Sequence, residues 1–190
     1  MGAPERRLVD EREYLAREAS ALEKHEYVGG VAYAMAGAGE RHNRIAGNLF
    51  VALRLAARGT RCGVYMADMK LRIGDGTAFY YPDVMLSCEP AGPDTVFKEA
   101  PCLVAEVLSP STAAIDTREK LHAYRAIPSL RYYLVVDADR VSLTYYVRAD
   151  DGTWLEASLE PGEQLQVRCN EVSVDLTLPA VYEDTGLTAA

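Results

Sequence analysis

The stretch that decides the fold is Pro101 to Tyr124, PCLVAEVLSPSTAAIDTREKLHAY. Its first part, 102–108, is an apolar run with the length of a buried strand, interrupted by one carboxylate, Glu106. A charge in that setting costs several kcal/mol unless a partner offsets it, roughly in line with other buried ions. A Ser-Pro-Ser-Thr turn follows, then a helical segment, 113–126, with Asp116, Lys120 and Tyr124 at i, i+4 and i+8. Residues at that spacing share a helix face. Upstream, the apolar run 79–86 carries the same oddity, since Asp83 follows Pro82 inside it.

Working outward, 131–136 reads as the next strand, ending at Asp137. On the N-terminal side, 61–73 alternates as one strand, Gly74-Asp75-Gly76 turns it, and 78–87 returns as its partner. Pro82 removes a backbone donor, so a bulge or sheet edge is expected there. Before these lies the clearest helix, 42–58, with Ile45, Leu49 and Leu53 at four-residue steps and Gly59 as its stop. The resulting order, αβββαβ, predicts a mixed central sheet with Asp83 and Glu106 on neighbouring strands.

At the N-terminus, 8–25 has the pattern of an amphipathic helix, and Gly29-Gly30 joins a short hairpin. The GAGE segment within the small-residue loop 36–40 lacks the spacing and Lys-Ser/Thr ending of a phosphate-cradling loop. Beyond Asp137 the runs 141–148, 153–159, 164–168 and 172–176 predict a β meander packed against the main sheet, followed by one helical turn at 179–182. The 190 residues are expected to form a single domain: 1–40 helix and hairpin, 41–137 core, 138–182 meander extension, 183–190 tail.

Composition bounds the function. No apolar run is long enough to cross a membrane, and the charged N-terminus lacks a signal region, so a cytoplasmic protein is expected. Cys62, Cys88, Cys102 and Cys169 form no C-x-x-C pair, which argues against structural zinc and predicts four reduced thiols. A net charge of -8 argues against a protein whose affinity rests on nonspecific nucleic-acid contacts.

Two carboxylates held side by side repel unless a cation sits between them. Magnesium is the natural occupant, because it takes oxygen ligands, needs only one or two carboxylates and keeps several waters. Such an ion polarises a phosphate, and a nearby lysine orients the attacking water. Taken one at a time these residues have ordinary readings. Asp83 can start a strand, Glu106 can be an ion-paired core acid, Lys120 can face solvent and Asp116 can cap a helix. His42 is equally a helix-start residue or a neighbour of the site, and Tyr124 is read first as a packing ring. Their conjunction in this strand context, together with a family resemblance, favours a metal-binding acidic site.

These residues resemble a known family. Pro82-Asp83, Glu106 in EVLSPST, then Asp116, Lys120, Tyr124 and RYYLVVD at 131–137 are similar to the Uma-two family of putative restriction endonucleases, in the PD-(D/E)XK nuclease superfamily. EYVGG, His42 and PGEQLQV look like further family features. The resemblance implies a restriction-endonuclease-like α/β fold and magnesium-dependent (or manganese-dependent) hydrolysis of DNA by a homodimer. Asp83, Glu106 and the main-chain carbonyl of Val107 would hold the metal, with Lys120 catalytic and His42 and Tyr124 supporting. The sequence departs from the superfamily at Leu108, where the usual lysine two residues after the acid is missing. The family pattern places that lysine on the following helix, at Lys120. A second D-x-K spacing, Asp68-Met69-Lys70, precedes the Pro-Asp strand and is read as a decoy or an outlying element. Two rival readings stay open, a non-catalytic scaffold that keeps the nuclease fold and a metal-dependent phosphodiesterase acting on RNA.

Overall fold

The computed structural model describes residues 8–35, 37–90, 92, 95–108 and 116–188. The Ser-Pro-Ser-Thr turn, the first residues of the helix expected from 113, the side chain of Asp116 and the start of the small-residue loop lie outside the described residues.

Helix α1 (Glu11–Glu18) is capped by Asp10, whose carboxylate accepts the Glu13 N–H at 2.7 Å. It is shorter than the 8–25 expected. Only Tyr14 of the helix is buried, and past Glu18 there is no apolar face to hold another turn, with Leu22 fully exposed. Strands β1 (His25–Val28) and β2 (Val31–Ala34) form the predicted hairpin, with Gly29 and Gly30 both at positive φ. Helix α2 (Glu40–Ala56) buries Ile45, Leu49 and Leu53, and Gly59 at φ +80 ends it as expected.

The two long strands expected at 61–73 and 78–87 are each broken in two. The observed elements are β3 (Gly63–Met66), β4 (Lys70–Ile73), β5 (Ala78–Tyr80) and β6 (Val84–Ser87). The Gly74–Gly76 turn stands, with positive φ at all three residues, but the hairpin passes from one sheet to another halfway along. On one arm the backbone turns at Met66, whose carbonyl accepts the Met69 N–H at 3.0 Å. On the other, Tyr81-Pro82-Asp83 interrupts the ladder, because proline has no N–H to give it. β4 and β5 therefore join a five-stranded sheet, order β2-β1-β5-β4-β7, where β7 is Phe97–Lys98. β3 and β6 join a six-stranded one.

The strand expected at 102–108 is β8 (Pro101–Leu108), and the following helix is α3 (Asp116–Arg125). β9 (Tyr132–Asp137) runs parallel to β8, so α3 is the crossover. The meander is only partly as expected. β10 (Leu143–Arg148) and β11 (Trp154–Ser158) extend the large sheet, giving the order β11-β10-β9-β8-β6-β3. β10 alternates between two apolar cores, Leu143 in one and Tyr146 in the other, and a strand with two faces to bury belongs inside a covered sheet. β12 (Leu165–Cys169) and β13 (Val172–Leu176) form a separate hairpin, which with α4 (Leu178–Val181) packs on the α2 side.

The cysteines are not reduced thiols. Cys62, just before β3, is bonded to Cys88, just after β6, and Cys102 of β8 is bonded to Cys169 of β12. Gly63 pairs with Ser87 in the β3–β6 ladder, so the next step outward sets Cys62 opposite Cys88. Sheet register joins the first pair across 26 positions and packing of the separate β12–β13 hairpin joins the second across 67, which is why their sequence spacing gave no sign of it. Among the described residues no helix is long and apolar enough to cross a membrane.

Candidate active site

The break at Pro82 sets up the site. Val84 pairs with Ala105, so Asp83, one step earlier, falls beside Glu106 on the adjacent strand. Alternation puts both on the sheet face shared by Met85, Val104 and Tyr133, the face that α3 covers. On the opposite face Val84, Leu86, Ala105 and Val107 pack toward α2.

Asp83 Oδ2 accepts the Val107 N–H at 2.7 Å and lies 3.2 Å from His42 Nε2. The hydrogen bond to Asp83 raises the pKa of His42, burial opposes this, and a hydrogen bond with the Val107 backbone adds to the rise. Glu106 is buried, and its Oε1 accepts the Tyr124 hydroxyl at 2.6 Å and lies 3.4 Å from Lys120 Nζ. Burial pushes the Glu106 carboxyl up to about 7; Lys120 and the Tyr124 hydrogen bond pull against this, while Asp83 and Glu26 add to it. The i, i+4 spacing on α3 thus delivers what it promised, with Lys120 and Tyr124 meeting the same carboxylate oxygen. Tyr124 also has the packing role read from the sequence, edge-on to Tyr80 and Tyr133.

Two site residues were missed. Glu26 of β1 holds Lys120 Nζ at 2.9 Å, closer than Glu106 does, and its Oε1 also accepts the Tyr81 N–H at 3.3 Å. It reaches the large sheet's carboxylates from the other sheet, a contact that no local pattern announces. Strand alternation alone could have placed it opposite the buried Tyr27. Tyr80, whose ring lies 5.5 Å from Lys120 Nζ and whose hydroxyl donates to Glu119, was missed for the same reason. Asp68 and Lys70 do not join them: Asp68 pairs with Lys24, and Lys70 stands over the Tyr81 ring.

Together these groups line a cleft of about 750 Å³ between the β1–β2 hairpin, the start of α2 and α3. Asp83 and Glu106 each meet the described residues through a single oxygen, leaving the second oxygen of each without a partner among them. Among the described residues no group of three His, Cys, Asp or Glu side chains has metal-binding geometry. Two carboxylates and a strand carbonyl therefore fit a hard cation that keeps waters, such as magnesium, and do not fit the closed nitrogen and sulfur shell of zinc.

Comparison with known proteins agrees with this architecture. A crystal structure described as a putative nuclease belonging to DUF820, from Anabaena variabilis, superposes with a TM-score of 0.74 over 92% of this chain and 97% of that one, at 16% identity, and shows the shared fold. Two uncharacterized proteins of Synechocystis are similar in sequence. One, slr1290, is 34% identical over 90% of this chain and 89% of its own length; the other, sll1609, is 35% identical over 85% and 92%. Residues 12–180 match the family model Uma2, "Putative restriction endonuclease", and the chain belongs to that family.

Proposed function

We propose that the protein is a magnesium-dependent endonuclease that hydrolyses phosphodiester bonds in DNA and works as a homodimer. The observation that carries this reading is the buried Glu106 set beside Asp83 with Lys120 Nζ 3.4 Å away. Asp83, Glu106 and the Val107 carbonyl are the residues that would hold the ion. Once bound, the ion supplies positive charge at the scissile phosphate and acidifies water there. The chain's own groups do the rest. Lys120, gripped by Glu26 and Glu106, presents an ammonium that orients the attacking water and faces the charge that develops on the phosphate. Tyr124 fixes the rotamer of Glu106, and His42 with the Val107 N–H fixes that of Asp83. Leu108 in place of the superfamily lysine is then no loss, because the amine arrives from α3 instead.

Titration with magnesium by calorimetry tests the reading. Wild type binds, and Asp83→Ala binds at least about tenfold more weakly, a loss of roughly 1.4 kcal/mol or more. Equal heats from both proteins would favour the rival, a scaffold that keeps the fold, which the net charge of -8 supports. Cleavage assays on DNA and on RNA, with Lys120→Ala as control, decide the substrate. Glu26→Gln is expected to lower kcat by about 10- to 100-fold with little change in KM, since misplacing a catalytic amine costs rate rather than binding. The two disulfides are uncommon in a reducing compartment.

A further inference from the structure

At the far end of α3, on the same face of the large sheet as Glu106, two arginines enclose the chain's only tryptophan. The Arg148 guanidinium lies 4.8 Å and that of Arg125 6.0 Å from the Trp154 ring centre, and Arg125 also sits 5.1 Å from Tyr146. Neither arginine forms an ion pair among the described residues, although the protein carries a net charge of -8. Arg148 gives two hydrogen bonds, both to backbone carbonyls of Arg125 and Pro128. The Nε atoms of both side chains are buried without a hydrogen-bond partner among the described residues. Both residues are nonetheless partly exposed, and an arriving acceptor would meet their outer guanidinium nitrogens rather than the closed-off Nε atoms.

We infer that Arg125, Arg148 and Trp154 form a second contact site for nucleic acid, taking a backbone phosphate outside the cleft. The guanidinium fork matches phosphate oxygens in geometry, and an aromatic ring beside it offers a base or sugar a stacking face. The sheet register sets its reach. Glu106 aligns with Val135, Thr144 and Ser158 on successive strands, and Trp154 lies four residues from Ser158 along β11. Three strand spacings across and four residues along make a separation of about 20 Å. That is roughly six nucleotide steps of a duplex strand at about 3.4 Å each. The site therefore engages DNA flanking the scissile bond, and a substrate only a few nucleotides long does not reach it. This inference rests on the reading of the cleft as a nuclease site.

Because Trp154 is the only tryptophan, its fluorescence reports on this site alone. The test titrates metal-free Glu106→Gln protein with a duplex of about 16 base pairs and with a tetranucleotide, following both tryptophan emission and the anisotropy of labelled DNA. The duplex changes Trp154 emission and the tetranucleotide does not. Adding Arg125→Gln weakens duplex binding about tenfold and lowers the salt slope by about one. Arg125→Lys falls between the two, as expected where a planar stacked cation is replaced by a point charge. Arg148 is left in place because it caps α3, and circular dichroism confirms that the Arg125 variants are folded. Duplex binding with the same affinity and salt slope in Arg125→Gln overturns the inference and leaves the nuclease reading intact. So does binding seen by anisotropy without any tryptophan response, or an equal response to the tetranucleotide. Arg125-dependent binding by a wild-type protein that cleaves nothing with magnesium sustains the inference and removes the endonuclease reading. No duplex binding by any form removes both.

Discussion

Glu106→Gln is expected to lower cleavage by about 10²- to 10³-fold or more and, without metal, to make the protein more stable at pH 8. The Glu106 carboxyl is held at about 7 against an ordinary value of 4.5, chiefly by burial. Below the lower value the group is neutral folded or unfolded and costs nothing. As pH rises from 4.5 to about 7 the unfolded chain gives up the proton while the folded chain keeps it, so stability falls across that window and is level above it. Glutamine is never charged and still offers Tyr124 an acceptor oxygen. The gain at pH 8 is on the order of 2–3 kcal/mol, or about 5–10 °C in Tm for a chain of this length. Melting curves at pH 4 and pH 8 check it, and the difference between variant and wild type should nearly vanish at pH 4. A variant less stable than wild type at pH 8 would mean that burial is not what governs Glu106. A residue that costs stability when the ion is absent is one kept for its chemistry.

Reduction should be the largest stability effect. In the chain-entropy account, closing loops of 26 and 67 residues contributes roughly 3.5 and 4 kcal/mol. Together that is a large share of the 5–15 kcal/mol (about) that folded domains retain. The Cys62–Cys88 bond staples β3 to the strand led by Asp83, and Cys102–Cys169 ties the strand of Glu106 to the β12–β13 hairpin. A reductant is therefore expected to move the guanidinium unfolding midpoint sharply down. Denatured but unreduced protein should titrate no thiols, and reduced protein four. Four thiols before reduction would restore the reading taken from the sequence.

The central strand, the helix α3 and the strand after it were legible because each signal is local: an apolar run, a helical period and a turn between them. The same locality exposed Asp83 and Glu106, since a lone acid in an apolar run is conspicuous, and Lys120 with Tyr124, since four-residue spacing survives any rearrangement around the helix. What depends on long-range register was hidden. The alternation at 61–73 and the apolar run at 78–87 each continue through the break, so nothing except Pro82 signalled that the hairpin changes sheets. Glu26 comes to Lys120 from the other sheet, and the cysteines pair across a ladder in one case and between two sheets in the other. Each is set by tertiary packing rather than by neighbours in the chain.

The central claim is that Asp83 and Glu106 grip one divalent ion. It is tested most directly by soaking crystals in manganese and collecting anomalous data. The account expects one peak within ligand distance of both carboxylates and the Val107 carbonyl, with Lys120 beside it. An empty map there, or manganese bound only elsewhere, would contradict it.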